Sequence, residues 1–251
     1  MNFKKQKTML RYGPGTRANH WAMAGAFILL TLSGLAFFHP PFFFLSNTLG
    51  GPVWSRVLHP FIGVVLFVLF VIIAVRQLKY NLLMKNDVQW MRQMGDVLNN
   101  RDDKLPPIGK YNPGQKMVYW ALILCIPVLL ITGVIMWRPW FAGFFPIPLI
   151  RVASLVHALA AFIGIATIIV HVYAAIWVKG SVKAMTRGRV THAWAKHHHP
   201  LWYEEEMKDP SQRAGDEHAS RREKASHHGA HHDGRTSVSY THLTLPTIYS
   251  V

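Results

Sequence analysis

Residues 152–177 read VASLVHALAAFIGIATIIVHVYAAIW, an apolar run long enough to cross a bilayer, which takes about 20 residues. Two histidines, His157 and His171, interrupt this run fourteen residues apart. At about 100° per residue they return to within about 40° of one helix face, separated by about 21 Å along the axis. Polar side chains at such depths usually face the interior of a bundle and serve a function. The stretch therefore predicts a membrane helix that offers two imidazoles, at two depths, to partners on other helices.

The other apolar residues are also gathered into long runs, so the chain is predicted to be an all-α membrane protein, a bundle of four transmembrane helices. Of its 251 residues 51% are hydrophobic, and they cluster instead of recurring with the period of a soluble helix or strand. The membrane domain is predicted over residues 20–180, with helices at about 20–38, 59–76, 117–137 and 150–178.

The lysines and arginines follow a pattern that membrane topology explains. The formal net charge is +15, and most basic residues lie before the first helix, between the second and third, and after the fourth. Cytoplasmic loops have such an excess, so both termini and the link 77–116 are predicted to be cytoplasmic. The link should form a small cap around one or two amphipathic pieces near Trp90 and Met94. Because topology accounts for the charge, membrane lipid is an expected partner and nucleic acid is not.

The segments outside the membrane domain differ in composition. The N-terminal segment, residues 1–19, is basic. Residues 181–207 are polar and should lie on the membrane surface or on a partner, whereas residues 208–236 are poor in apolar residues, which predicts disorder. The last segment, residues 237–251, contains VSYTHLTLPT, which resembles the translation of a transposon-end adapter used in sequencing libraries, and it is predicted to be a non-native artefact.

Predicted depth pairs four histidines. His20 and His171 should lie near the cytoplasmic face, and His59 and His157 towards the outer face. Haem iron takes two axial nitrogen ligands, and the core of a helical bundle is a usual place to bury a flat apolar macrocycle. The pattern therefore predicts two haems b, one held by each pair.

Two alternatives use the same histidines. A proton or metal path also employs intramembrane histidine, but such paths usually include a carboxylate, and the four runs contain no Asp or Glu. In a non-redox scaffold or transport bundle the histidines would only pair helices. Cys125 is the only cysteine, which excludes a c-type haem attachment, a thiolate iron–sulfur cluster and a disulfide within the chain. His39 and the histidine clusters at 197–199, 227–228 and 231–232 are expected to be exposed.

Six segments together resemble the cytochrome b (gamma) subunit of respiratory formate dehydrogenase, over about residues 10–205. The resemblance implies a multi-pass subunit of the bacterial inner membrane with two haems b. It implies that electrons come from an iron–sulfur (beta) subunit, which is fed by a molybdenum or tungsten (alpha) subunit that oxidises formate, so this chain would be the quinone-reducing subunit of the complex. It also suggests a trimer of these three-subunit units. The segments are RYGPGTRANHW, RVLHPFIGVV, GKYNPGQKMVYWA, GVIMWRP, HVYAAIWVKG and AWAKHHHPLWY.

The same resemblance implies a quinone site. In the family a quinone, menaquinone or ubiquinone, lies beside the inner haem, near positions that correspond here to Asn112 and Gly114, with Gln115 beside them. The chemistry agrees, because a quinone that takes two electrons also needs two protons and should lie at an interface with polar groups for its carbonyls. The closest alternative keeps this chemistry and changes the electron source: a cytochrome b of a hydrogenase or of a sulfur-compound reductase.

Overall fold

Four long helices dominate the computed structural model, which describes residues 7–99, 101 and 105–208. They are long and apolar enough to cross a membrane, which confirms the predicted four-helix membrane bundle. Few of their side chains are buried, and large apolar residues such as Leu155 and Phe162 are more than 70% exposed, as expected of a surface that faces lipid. The four are α1 (Pro14–Phe38), α2 (Pro52–Asn81), α5 (Pro113–Met136) and α6 (Ile147–Trp177).

The helices extend beyond the apolar runs that predicted them. Three of them begin with a proline, a residue well suited to the first turn because that turn leaves its N–H groups unpaired. The expectation that α2 opens at His59-Pro60 is wrong, since Pro60 lies inside a helix that begins at Pro52 and ends at Asn81. An apolar run marks only the part of a helix inside the bilayer, and these helices continue into their polar flanks.

The helices pack as antiparallel neighbours, with α1 against α2, α2 against α5 and α5 against α6. An apolar core forms between α2 and α5 from Phe70, Ala74, Leu122 and Ile126. Polar side chains tie the helices together as well. Asn19 donates a hydrogen bond from Nδ2 to the carbonyl of Leu69 over 2.9 Å, which joins α1 to α2.

One end of the bundle is covered by shorter helices and a small β-sheet, and we call it the capped end. Here α1 and α5 begin and α2 and α6 end. A two-stranded antiparallel sheet, absent from the all-α expectation, sets Met9 opposite Val190. The elements of the capped end are β1 (Thr8–Leu10), α3 (Lys85–Arg92), α4 (Met94–Leu98), α7 (Ser181–Arg187), β2 (Arg189–Thr191), α8 (His192–His198) and α9 (Pro200–Lys208).

The capped end has its own apolar core, in which the segment after α6 packs on the chain's own N-terminal segment. Met9 and Tyr12 meet Ala184, Val190 and residues of α8 and α9. The helices α3 and α4 occupy the link in which amphipathic pieces were expected. The predicted disordered tail and the predicted artefact, residues 208–236 and 237–251, lie outside the described residues apart from position 208, the last of α9.

At the opposite end of the bundle, 3-10 helices connect the membrane helices. Pro40–Leu49 connects α1 to α2, and Ala142–Phe144 connects α5 to α6. Aromatic residues are exposed along both connections, as in the belts that membrane proteins place at the bilayer surface. His39, at the start of the first connection, is exposed as expected.

Candidate functional site

Four histidines form two facing pairs inside the bundle. The capped-end pair consists of His20 on α1 and His171 on α6, whose ring centroids are 6.3 Å apart. The far-end pair consists of His59 on α2 and His157 on α6, with centroids 6.5 Å apart. These are the residues that predicted depth brought together. Because α6 is continuous, the two pairs are separated along it by about 21 Å.

The separation within each pair suits one metal ion between two imidazoles. With metal–nitrogen bonds of about 2 Å, and about 1.1 Å from each bonded nitrogen to its ring centre, the centroids should be roughly 6 to 6.5 Å apart. Among the described residues no three histidine, cysteine, aspartate or glutamate side chains are grouped as a metal site. Two ligands without a third fit a macrocycle that supplies its own equatorial nitrogens, as haem does.

Glycines on the helices that hold the two pairs leave open space beside them. A Cβ atom at Gly25, Gly63 or Gly164 would meet nothing within 4 Å. At the far-end pair the imidazoles lie directly over two other glycines: a Cβ at Gly34 would be 3.6 Å from His59, and one at Gly133 would be 3.5 Å from His157. The residues present therefore fit a flat ring system between the helices.

The far-end pair has a hydroxyl group beside each imidazole. Ser33 Oγ lies 2.7 Å from Nδ1 of His59, and Thr132 Oγ1 lies 2.8 Å from Nδ1 of His157. Ser33 is fully buried. With Nδ1 engaged in this way, Nε2 is the nitrogen left for a metal. Sequence analysis missed both hydroxyl residues, because nothing in a run of apolar residues says which serine or threonine meets a histidine of another helix.

The capped-end pair lacks such partners. Nδ1 of His20 is buried and has no hydrogen-bond partner among the described residues. The neighbouring Trp21 meets the His20 ring edge-on, with centroids 5.3 Å apart. The two pairs therefore share their spacing and differ in what surrounds their second ring nitrogens.

The predicted quinone residues lie together in the first turn of α5, at the capped end. Asn112 is the N-cap residue: its Oδ1 accepts a hydrogen bond from the Gln115 backbone N–H over 2.8 Å, and Gln115 Oε1 accepts from the Asn112 N–H over 3.0 Å. This capping box uses both side-chain oxygens and leaves both amide NH2 groups without a partner among the described residues. Gly114 lies against Trp90 of α3. No described contact joins this turn to His171, although both lie at the capped end.

The loop before α5 is held by two residues that are distant in sequence. His199 is buried, which corrects the expectation that residues 197–199 are all exposed. Its Nδ1 lies 2.8 Å from the carbonyl of Gly109, and its Nε2 lies 3.1 Å from Nη2 of Arg11, which also donates to the Lys110 carbonyl over 2.7 Å. A guanidinium can only donate, so Nε2 of His199 accepts and the imidazole is neutral, with its proton on Nδ1.

Burial and positive charge set the pKa values in this loop. Burial, and after it the Arg11 guanidinium, lowers the pKa of His199 to about 3. The same two causes, in the same order, lower the pKa of Lys110 to about 8. Lys110 lies two residues before Asn112.

A buried ion pair ties α3 to α5 beside this turn. Lys116 Nζ donates to Asp87 Oδ2 over 2.7 Å, with side chains only 2% and 4% exposed. It also donates to the Leu82 carbonyl over 2.9 Å, while Asp87 accepts from the Met84 N–H. The pair fixes α3, and with it Trp90, against the start of α5.

Known proteins match nearly the whole described chain. A family model described as prokaryotic cytochrome b561 matches residues 11–188. The chain is 45% identical over 211 residues to the formate dehydrogenase cytochrome b556(fdo) subunit of Escherichia coli strain K12, covering 84% of this chain and 99% of the relative. It is 43% identical over 213 residues to the nitrate-inducible formate dehydrogenase cytochrome b556(Fdn) subunit of the same strain, covering 85% and 98%. The formate dehydrogenase cytochrome b556 subunit of Haemophilus influenzae is 41% identical over 199 residues, covering 79% and 84%.

Proposed function

Because the chain belongs to the prokaryotic cytochrome b561 family, we propose that it is the membrane cytochrome b subunit of a formate dehydrogenase, conducting electrons across a bacterial inner membrane to quinone. The observation that supports this proposal best is the presence of two imidazole pairs, each spaced for one metal and separated along α6 by about 21 Å.

Each pair would hold one haem b by its two axial positions. When bound, the two haems would supply reversible one-electron transfer at two depths of the bilayer. The chain would set their positions, because His157 and His171 share one helix while His20 and His59 approach from α1 and α2.

Quinone would be reduced at the start of α5. The free amide groups of Asn112 and Gln115 and the backbone N–H of Gly114 are hydrogen-bond donors suited to quinone carbonyls. Both protons would come from the aqueous phase at the capped end, where Lys110 lies close to the same turn. With menaquinone or ubiquinone as the acceptor, the chain would be the quinone-reducing subunit.

The remaining proposals concern orientation and partners. The basic residues at the capped end favour a cytoplasmic location for this end and for both termini. An iron–sulfur subunit would then deliver electrons at the far-end pair, from a molybdenum or tungsten subunit that oxidises formate outside, in a trimer of three-subunit units. Electrons would move inward and protons would be consumed inside, so turnover would contribute to the membrane potential.

A haem count tests the core of the proposal. The purified chain should give two b haems per polypeptide in a pyridine haemochrome assay, and His157→Ala should give one. His39→Ala, which changes an exposed histidine, should keep both. Absence of a Soret band would overturn the proposal in favour of a non-redox scaffold or transport bundle, and two intact bis-histidine haems in His157→Ala would overturn the ligand assignment.

A separate variant tests the quinone site. Asn112→Asp keeps the side-chain oxygen that caps α5 and removes the amide donor, so haem content should stay at two while quinone reduction falls at least tenfold. Asn99→Asp changes an exposed asparagine whose Nδ2 donates to the Gly95 carbonyl, and this variant should reduce quinone at the normal rate. His171→Ala should lose both the capped-end haem and quinone reduction. Normal quinone reduction by Asn112→Asp would contradict the proposed site.

A further inference from the structure

The two histidine pairs differ in a way that the proposed function does not use. In the far-end pair both imidazoles have a hydroxyl oxygen within hydrogen-bond distance of Nδ1, at 2.7 Å from Ser33 and 2.8 Å from Thr132. In the capped-end pair, Nδ1 of His20 is buried and has no partner in the part of the chain that the structure describes. His171 has no side-chain hydrogen bond to the described residues either.

The direction of the far-end hydrogen bonds follows from ligation. A neutral imidazole that binds iron through Nε2 has its single proton on Nδ1, so that N–H must donate to the hydroxyl oxygen. Each hydroxyl then needs an acceptor for its own proton. Ser33 has one in the Leu29 carbonyl at 2.8 Å, and Thr132 has one in the Val128 carbonyl at 2.7 Å, both one helical turn earlier. Each series of hydrogen bonds, from imidazole to hydroxyl to backbone carbonyl, is therefore complete.

Hydrogen bonds to the second ring nitrogen affect the redox preference of the bound metal as well as the orientation of the histidine. A histidine that donates its second N–H to an acceptor is oriented by that bond and becomes a more basic ligand. A more basic imidazole stabilises the ferric state over the ferrous state, because the ferric ion has the greater positive charge.

We propose that Ser33 and Thr132 are positioning residues that act through His59 and His157 to give the far-end haem a lower reduction potential than the capped-end haem. A single electron distributed between the two haems would then lie mainly on the capped-end haem, at the end of the bundle that holds Asn112 and Gly114. The inference rests on the proposed function and deepens it, since it gives the conduction path a direction that residues of this chain determine.

The test is a redox titration of the full-length chain purified with its haems, followed optically. Ser33→Ala and Thr132→Val should each raise the lower of the two midpoint potentials and leave the higher one in place. Together they should change the ferric-to-ferrous ratio at a fixed potential by about tenfold, which is about 59 mV for a one-electron couple. The midpoint potential that remains in His157→Ala identifies the capped-end haem. In Ser33→Ala and Thr132→Val, the paramagnetic resonance g-values of the ferric far-end haem should also shift.

Two controls separate the hydroxyl from packing. Thr132→Ser keeps the hydroxyl and should titrate like the unmodified protein. Thr167→Val removes a hydroxyl of α6 that donates to the Ile163 carbonyl one turn earlier, and it should change neither potential. Loss of the far-end haem from both Ser33→Ala and Thr132→Val, with retention in Thr132→Ser, would contradict the proposal in favour of a role of the hydroxyls in haem binding.

Failure of this inference is distinct from failure of the proposed function. If the chain holds two haems and the lower midpoint stays within error in Ser33→Ala, Thr132→Val and the double variant, the hydroxyls do not set the potential. The inference is equally wrong if the far-end haem has the higher midpoint. A chain that holds no haem overturns the proposed function itself, which the haem count detects first.

Discussion

Replacing Lys116 with methionine should destabilise the capped end strongly. The substitution keeps most of the side-chain volume and removes the ammonium group, which donates to Asp87 at 2.7 Å and to the Leu82 carbonyl at 2.9 Å. The Asp87 carboxylate would stay buried at 4% exposure with a single remaining donor, the Met84 N–H.

The magnitude follows from burial. Breaking a buried ion pair from one side costs about 3–5 kcal/mol, because the remaining charge is left without compensation. Adding Asp87→Asn should recover much of this loss, since asparagine is neutral and its Oδ1 still accepts from the Met84 N–H. We therefore expect Lys116→Met to lower the free energy of unfolding by about 3–5 kcal/mol and the double variant to lower it by roughly 1–2 kcal/mol.

The assay is equilibrium unfolding in mixed micelles, followed by far-ultraviolet circular dichroism, on both single variants and the double variant. The pair Arg101 and Asp96, 3.7 Å apart with side chains 55% and 27% exposed, supplies the control. Arg101→Met should change stability by less than about 1 kcal/mol. Equal losses in Lys116→Met and Arg101→Met, or additive losses in the double variant, would refute the reasoning from burial.

Two further predictions concern the capped end. His199 has a pKa of about 3 when folded and near 6.5 when unfolded, so the unfolded chain binds more protons between these values and stability should fall as pH drops from about 6.5 towards 3. His199→Gln keeps a donor and an acceptor without titrating, and its melting temperature should vary less with pH across that window. Gly188→Ala should lower the melting temperature, because φ is +81° and the new Cβ would lie 2.6 Å from the Tyr12 carbonyl oxygen, whereas Gly143→Ala, with open space, should not.

The depth of each histidine in the membrane could be predicted from sequence, because depth depends only on position along a membrane-crossing helix. The lengths of the apolar runs give the number of crossings, and the order of the crossings gives the level of each histidine. This was enough to set His20 beside His171 and His59 beside His157. It was also enough to bring the turn at Asn112 to the capped end.

The rotation of each helix about its own axis, and the structure of the polar segments that flank the apolar runs, could not be predicted in this way. Ser33 and Thr132 meet imidazoles on neighbouring helices only because of how α1 and α5 are turned about their axes, which uniformly apolar runs do not specify. His199 looked exposed because its neighbours His197 and His198 are polar, yet its partners Arg11 and Gly109 lie far away in sequence. The start of α2 was misplaced because its first turns lie outside the apolar run.

The shared use of α6 has a consequence for how the protein is made. Synthesis proceeds from the N-terminus, so His20 and His59 are made well before α6. Neither imidazole has its partner until residues 157 and 171 have followed, and β1 has no strand to pair with until residue 189 exists. The two histidine pairs are therefore completed only when residues 157 and 171 have been made, and the capped end can close only after residue 189. A nascent chain that stalls before α6 has His20 and His59 without their partners.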